Sequence, residues 1–215
     1  MDLTRTIDPA VEPLSTAEVK DHLRLDGVEE DAPLGALVTS ARQACETYTR
    51  RSMITQTWRL RLDSWPGKHM GDAWWDGTRE GSLDAVFERA RTLALPRGPM
   101  QSITSVTVTD ADANQMVIAS NGYTASTGLN GRLALRSGQA WPSATAPVDA
   151  IEIIYVTGFG DSWNDVPASL RHGMMVLVAH LYEHREVFPE GGEGGLAALP
   201  APVVGLWRPW RQVSL

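Results

Sequence analysis

The sequence predicts an α+β protein in which a discontinuous helical bundle carries an inserted antiparallel β domain and an extended C-terminal arm. Apolar residues recur every three or four positions near both ends of the chain, which is typical of helices packed on a core. Between these regions the period shortens to two, which indicates half-buried strands. We therefore divide the chain into a helical part (1–53), a β domain (54–160), a closing helix (161–190) and a hinge with a C-terminal arm (191–215).

Composition indicates an ordinary globular protein without a strongly cationic surface. The 215 residues are 43% hydrophobic and 21% charged, with a formal net charge of −7 and a pI near 5.2. Because proteins that grip nucleic acid usually present a basic face, tight phosphate binding is not expected. The single cysteine excludes an intrachain disulfide, and no apolar run approaches the roughly 20 residues that span a bilayer. We expect a soluble protein made in the cytoplasm, without membrane contact.

Three helices follow from capping residues and apolar stripes. Ser15 and Glu18 form the pattern of a capping box at the start of the first helix. The second helix carries Cys45 on its apolar stripe, where a buried structural thiol is expected. Asp165 is the expected cap of the third helix, with a proline in its first turn. The predicted ranges are about 15–26, 31–51 and 165–189.

Seven strands are expected in the middle of the chain. In residues 57–63 apolar and polar side chains alternate strictly, which indicates a strand with one buried face. Turn residues such as Asn121-Gly122 and Asn130-Gly131 separate the other strands, so antiparallel hairpins are expected. These strands are predicted at 92–95, 102–109, 115–118, 123–125, 132–135 and 150–157.

Adjacent tryptophans in a long connection indicate a second docking surface. Residues 65–91 are dotted with glycines and carry Trp74 and Trp75 side by side. Connections of this length are usually functional or disordered, and two neighbouring indoles bury a large area when they dock. They can dock either on this protein's own sheet or on a neighbouring protein.

The C-terminal arm carries the densest set of candidate docking residues. A glycine-rich run at 191–195 forms a flexible tether before it. The arm is apolar and interleaves two tryptophans with two arginines, the residue types most enriched at binding hot spots. Because a solvated tail is normally polar, the arm is expected to dock on a partner or, alternatively, to fold back onto its own domain. The candidate docking residues are Val203, Leu206, Trp207 and Trp210 as apolar anchors, with Arg208 and Arg211 pairing acidic or carbonyl groups.

No motif makes a convincing case for catalysis, a metal or a cofactor. His180, Glu183 and His184 match the H-x-x-E-H pattern of zinc peptidases, and two histidines one turn apart can share a metal. A third ligand on a helix well downstream is missing, so histidines used in packing or an interface are the favoured interpretation. Residues 110–114 open like a calcium loop, but the required glycine and final glutamate are missing, which favours a hairpin turn.

An ordered set of motifs extends over nearly the whole chain. It consists of LSTAEVKDHLR (14–24), ITQTWRLRLD (54–63), LPRGPMQSITSV (95–106), GRL (131–133) followed by Trp141-Pro142, IIYVTGFGD (153–161), VPASLR (166–171), HLYEHRE (180–186) and LWRPWR (206–211). With this set, the chain resembles the head–tail connector proteins of long-tailed phages, also called head-completion adaptors, and their counterparts in gene transfer agents. It departs from the family in a longer 65–91 connection and in an ending richer in tryptophan.

The resemblance implies a virion structural protein with no enzymatic activity and no cofactor. Such adaptors form rings, typically of twelve subunits, that bind beneath the portal protein after DNA packaging and present a platform for the downstream neck or stopper protein. The ring extends the DNA channel, and DNA passes through it without specific binding. The implied place is the head–tail interface of a virion or a gene transfer agent particle assembled in a bacterial host. Two other classes stay open: a transient assembly chaperone or binding module, and a zinc-dependent hydrolase built on the histidine pair.

Overall fold

A computed structural model describes residues 1–65, 92–136, 139–184 and 199–212. The chain forms two compact units, each assembled from two separated stretches. The first unit, Met1–Asp8 with Gln56–Thr157, is built from strands, and the second, Pro9–Thr55 with Gly158–Leu215, is built from helices. The α+β class predicted from the sequence is confirmed.

In the residues that the structure describes, the first unit contains two antiparallel sheets. Their eight strands, in chain order, are β1 (Asp2–Ile7), β2 (Gln56–Leu62), β3 (Thr92–Ala94), β4 (Met100–Thr109), β5 (Gln115–Val117), β6 (Tyr123–Ser126), β7 (Arg132–Leu135) and β8 (Ile151–Thr157). The larger sheet has the order β1-β2-β8-β4-β5, and the smaller sheet has the order β3-β7-β6. All seven strands predicted from the sequence are present, with ends that differ by at most two residues.

Strand β1 corrects the division made from the sequence, which placed residues 1–53 in the helical part. It runs antiparallel to β2 at the edge of the larger sheet, with Leu3 opposite Leu60 and Thr4 opposite Arg59. Its hydrogen-bonding partner lies far along the chain, and the stability of an edge strand depends on that partner rather than on local propensity. The periodicity within these six residues was therefore not enough to identify the strand from the sequence.

One face of the larger sheet forms the core of this unit. Alternate residues of β2 and β8 are buried, as the period of two requires, and Leu60 lies opposite Ile153 across the pair. A second contact in this unit is made by Trp65, which stacks on Trp141 with ring centroids 3.9 Å apart. The Trp65 Nε1–H also donates to the Pro142 carbonyl at 2.9 Å. The alternation predicted for residues 57–63 therefore separates a core face from a solvated face.

Within the described part of the chain, the second unit contains four helices and two short 3₁₀ turns. The helices are α1 (Thr16–Leu23), α2 (Asp31–Thr49), α3 (Ala168–Glu183) and α4 (Ala201–Trp207), and the turns are Trp163–Asp165 and Arg208–Trp210. Helix α3 packs against each of the other three. In the parts of the chain that the structure describes, no helix is both long and apolar enough to cross a membrane. The buried core of this unit includes Val19, Leu34, Val38, Cys45, Leu170, Met174, Val178, Val203 and Trp207.

The capping box predicted for α1 is confirmed. The Ser15 hydroxyl accepts a hydrogen bond from the Glu18 backbone N–H at 3.2 Å, and the Glu18 carboxylate accepts one from the Ser15 N–H at 3.0 Å. Partial burial acts to raise the pKa of Glu18, but the bonds from Ser15 and from the Arg171 guanidinium outweigh it, so the pKa is lowered. This contribution to stability is present near neutral pH and is lost as acid protonates the carboxylate. Helix α1 ends at Leu23, earlier than expected, because Arg24 takes the left-handed conformation with φ 57°.

The expected cap of α3 was wrong. Asp165 lies in the preceding 3₁₀ turn, where its carboxylate accepts the Ser162 backbone N–H at 3.0 Å. Helix α3 begins three residues later, directly after Pro167, and its last described residue is Glu183. Because Pro167 itself takes an extended conformation, the chain bends between the two helical turns instead of continuing through them.

Cys45 lies on the core face of α2, as predicted. Its side chain is fully buried, and its Sγ atom is 3.8 Å from the Met53 sulfur. Burial raises the pKa of the thiol far above its usual value, so the thiolate needed for nucleophilic chemistry does not form near neutral pH. The interpretation as a structural thiol is confirmed.

A buried ionic network holds α2 to the segments on either side of it. The Arg42 guanidinium, 4% exposed, donates two hydrogen bonds to the Glu12 carboxylate at 2.7 and 3.2 Å and one to Glu46 at 3.3 Å. The second Glu46 oxygen accepts the Met53 backbone N–H at 3.0 Å, and the Thr39 hydroxyl donates to Glu12 at 3.0 Å. Glu12 is thus held to α2 by Arg42 and Thr39, and Met53 is held to the same helix by Glu46.

Candidate docking surface

Trp207 is the central contact of the C-terminal segment, by which we mean residues 199–212. Its side chain is fully buried, as is that of Val203, and its Nε1–H donates to the Leu170 carbonyl at 3.2 Å. The indole lies directly on Gly173 of α3, where an added Cβ would be 2.2 Å from Nε1. Gly173 therefore allows the close approach, because any larger side chain would occupy the position of the ring.

The turn after α4 adds polar contacts to this packing. The Nε1–H of Trp210 donates to the Ser169 hydroxyl at 2.9 Å, and its ring meets Phe159 edge-on with centroids 5.7 Å apart. The Trp210 carbonyl accepts a bond from Arg51 Nε at 2.5 Å. The segment is therefore attached both to the start of α3 and to the residues that follow α2.

This arrangement corrects the prediction of a free docking arm. Val203 and Trp207 were expected to be anchors on a partner, but they are anchors within the helical unit, as the alternative of folding back had anticipated. The apolar face of α4 fits a groove on its own chain, and removing its apolar area from water there stabilises the folded chain. That area is therefore not left exposed for a partner. Leu206 and Trp210 are half-buried, whereas Arg208 and Arg211 are exposed. We call these four side chains the outer face of the segment, because each keeps part of its surface accessible to a partner.

The outer face combines two exposed arginines with the partly exposed apolar side chains Leu206 and Trp210. The Arg211 guanidinium lies over the Tyr48 ring, 5.7 Å from its centroid, which holds the charge in place while leaving its N–H groups exposed. Arg50 follows α2 in the left-handed conformation and is also exposed. Such a surface suits carboxylates or backbone carbonyls, because a planar guanidinium donates several hydrogen bonds in one direction.

The other candidate residues have two different outcomes. Trp74 and Trp75 lie outside the described residues, so their role as a second docking surface stays a prediction.

The turn at 110–114 is described: the Asp110 carboxylate accepts the backbone N–H groups of Asp112 and Asn114, each at 2.9 Å, and the Asn114 side-chain amide at 3.0 Å. These bonds, first that from the Asn114 side chain, lower the pKa of Asp110. The hairpin-turn interpretation is confirmed.

The histidine pair lies at the end of α3. The rings of His180 and His184 are 4.4 Å apart between centroids, and His184 Nδ1 is 2.9 Å from the His180 carbonyl oxygen. Among the residues that the structure describes, no group of three or more His, Cys, Asp or Glu side chains is placed to hold a metal ion. In the described residues, the His184 ring and the His180 carbonyl therefore form a hydrogen bond at the end of the helix, and no third ligand lies beside the histidine pair.

An acidic surface at the α1–α2 junction was missed by the sequence analysis. Val28 is 74% exposed there, and Asp26 and Glu29 on either side of it are exposed too. The signal was present in the sequence as the run Gly27-Val-Glu-Glu-Asp31, in which an apolar residue follows a turn glycine and precedes three carboxylates. A single exposed valine is ordinary on a protein surface, so the feature that sets this loop apart is its run of carboxylates.

Comparison with known proteins gives matches to solved structures alone. No protein-family model matches the chain, and no curated protein matches it. The chain is similar, at 26% identity over 100% of its own length and 97% of theirs, to chains in three structures of gene transfer agent (GTA) particles. They are described as the neck of an empty GTA particle computed with C6 symmetry (TM-score 0.74), the virion of a native GTA particle (0.73) and the neck of a native GTA particle computed with C12 symmetry (0.71).

These matches cover both units of the chain. A TM-score of 0.74 over the full length means that the strand and helix units have counterparts in one chain of the GTA neck. The chain therefore has the fold of a component of a gene transfer agent neck. The resemblance that the sequence motifs indicated is confirmed at this level, that of a neck structural protein.

Proposed function

We propose that this chain is a structural adaptor that forms a ring beneath the portal and joins the head of a phage or gene transfer agent particle to its tail. The observation that carries the proposal is the full-length similarity to chains in GTA necks computed with sixfold and twelvefold symmetry. A neck component surrounds the path of the DNA, so a ring of this chain would extend the DNA channel. Its place is accordingly the head–tail interface of the particle.

The physical properties of the chain support this role. A net charge of −7 disfavours tight binding to DNA, which suits a channel through which DNA must move. The buried Cys45 thiol and the hydrogen-bonded Asp110 both have structural roles. A structural role explains these residues without a reaction.

The outer face of the C-terminal segment is the proposed contact with the portal. It presents Arg208 and Arg211 beside the half-buried Leu206 and Trp210, a composition typical of binding hot spots. Because Val203 and Trp207 hold the segment to its own helical unit, the contact uses a fixed surface rather than a loose tether. Preorganisation of this kind lowers the entropy lost on binding. The downstream neck or stopper protein would then bind elsewhere on the ring.

Quantitative mass spectrometry of purified particles tests the proposal. We expect this chain in mature particles at a copy number equal to that of the portal protein, because an adaptor ring stays in the neck. Deletion of its gene should yield DNA-filled heads without tails, with normal amounts of portal protein in them. A transient chaperone or binding module predicts the opposite result, namely particles of normal form that do not contain the chain. That result would contradict the proposal.

A further inference from the structure

We propose that neighbouring copies of this chain contact each other helix to helix, with one side of α3 in one copy packed on one side of α2 in the next. The inference rests on the proposed function, since it specifies the contact between subunits of the ring. Neither side shares a side chain with the outer face of the C-terminal segment. The α2 surface comprises Ala32, Ala36, Ser40, Gln43 and Thr47, and the α3 surface comprises His172, Met175, Val176, Ala179 and Glu183.

The charges of α2 are turned inward, which is the reverse of an ordinary surface helix. Arg42 and Glu46 are each 4% exposed and bond to each other, whereas charged side chains normally face the solvent. Every residue of the α2 surface is exposed, and none is charged. The Ser40 hydroxyl donates to the Ala36 carbonyl at 2.9 Å, so a neighbour can cover it without removing its hydrogen bond. An uncharged surface along about four helical turns is typical of the centre of an interface.

Helix α3 is apolar on nearly all of its sides. Its 16 residues include a single basic residue of the Arg or Lys type, Arg171, and a single carboxylate, Glu183. A helix that is hydrophobic all round is normally buried all round. Helices α1, α2 and α4 pack against α3, yet Met175, Val176 and Ala179 keep part of their surface exposed. These three side chains therefore supply the apolar area that a second copy would cover.

The two surfaces point in nearly opposite directions. At about 100° per residue, each lies across its helix from the residues that the helix buries. Because α2 and α3 pack together in the core of the helical unit, the surfaces lie on opposite sides of that unit. One of the matched GTA necks was computed with C12 symmetry. Each subunit of a twelvefold ring meets its neighbours on faces about 150° apart, so a contact between two different, nearly opposite surfaces suits such a ring.

The sizes of the side chains are complementary across this contact. Ala36 and Ser40 at the middle of the α2 surface are small, which allows another helix to approach closely. Met175 and Val176 are larger, and helices pack by fitting the side chains of one between those of the other. The methionine adds an unbranched side chain that adapts to an irregular surface. The α2 surface therefore offers the space that the larger side chains of α3 require.

Thiol cross-linking in purified particles tests the contact. Ser40→Cys and Ala179→Cys place one thiol on each surface, and Cys45 does not compete because it is fully buried. After treatment with a short bismaleimide, particles of the double variant should give a ladder of covalent multimers on a denaturing gel, because each copy is joined on both sides. Each single variant should stay monomeric, because its new thiol faces a surface that carries none.

Several outcomes of the cross-linking would overturn the inference. Dimers from Ser40→Cys alone or from Ala179→Cys alone would mean that like surfaces meet. A double variant that enters particles at the wild-type copy number and gives no multimers would mean that the surfaces do not meet at all. Ala10→Cys combined with Ala111→Cys, two exposed positions outside both surfaces, is the matched control and should give no ladder. The copy number is measured in the same particles, so the adaptor role can stand if this contact fails.

Inserted charges give a second test that does not depend on cysteines. One variant carries Ala36→Lys and Gln43→Lys, and the other carries His172→Glu and Ala179→Glu. Each alone should enter particles at least about 10-fold less, because a charge in a dry contact loses its hydration without gaining a partner. Co-expression should restore the copy number, because the two variants can alternate around the ring with lysines facing glutamates. Normal entry of either variant alone, or no recovery from variants with the wild-type urea midpoint, would contradict the contact.

Discussion

Replacing Trp207 with alanine is expected to lower the free energy of unfolding of the helical unit by about 3–5 kcal/mol. The indole is fully buried between α2 and α3, and its Nε1–H is bonded to the Leu170 carbonyl. Truncation leaves a cavity over Gly173, which has no side chain with which to fill it. Urea denaturation, monitored through the circular dichroism signal of the helices, measures this decrease in the free energy of unfolding.

Trp163→Ala is the matched control for this substitution. Trp163 is 39% exposed and contacts Arg171 through its ring face, so its loss should cost about 1 kcal/mol or less. If Trp207→Ala were as mild as the control, the C-terminal segment would not be packed on α3. The segment would then be a free arm, as one of the two interpretations of the sequence held.

Replacing Arg42 with methionine is expected to destabilise the helical unit by about 3–5 kcal/mol. Methionine keeps much of the volume but removes the guanidinium that donates to the Glu46 carboxylate, which is 4% exposed. Glu12 loses both of its bonds to the same guanidinium. The midpoint of urea unfolding, measured at neutral pH where the carboxylates are charged, gives the size of the effect.

A second substitution separates the charge from the packing. Glu46→Gln added to Arg42→Met removes the buried negative charge while its side-chain oxygen can still accept the Met53 backbone N–H. The double variant should therefore be more stable than Arg42→Met alone. Equal stability of the two would show that the packing of the arginine stem, and not the loss of the positive charge beside Glu46, dominates. Arg132→Met, at an exposed position, should change stability by less than about 0.5 kcal/mol.

The elements predicted well from the sequence are those with local causes. The capping box of Ser15 and Glu18 and the alternation in 57–63 both depend on neighbours a few residues away. Strand β1 was missed because its stability comes from pairing with β2, far along the chain. The cap of α3 was misplaced because Asp165 satisfies a nearer donor, the Ser162 N–H, in a turn of its own.

The candidate site shows the same limit more clearly. Composition identified the C-terminal segment as a docking sequence, but it could not say on which surface the segment docks. That choice depends on a groove whose floor is Gly173, more than thirty residues before Trp207 in the chain and unremarkable in the helical pattern of α3. The acidic loop between α1 and α2 was likewise missed, because periodicity does not show which side chains a loop exposes.

Native mass spectrometry of this chain, first alone and then mixed with the portal protein encoded near it, tests the adaptor role most directly. The account predicts a portal complex that carries many copies of the chain and no bound metal. A monomer that ignores the portal and carries one zinc ion would contradict it, and would turn attention to His180 and His184 instead.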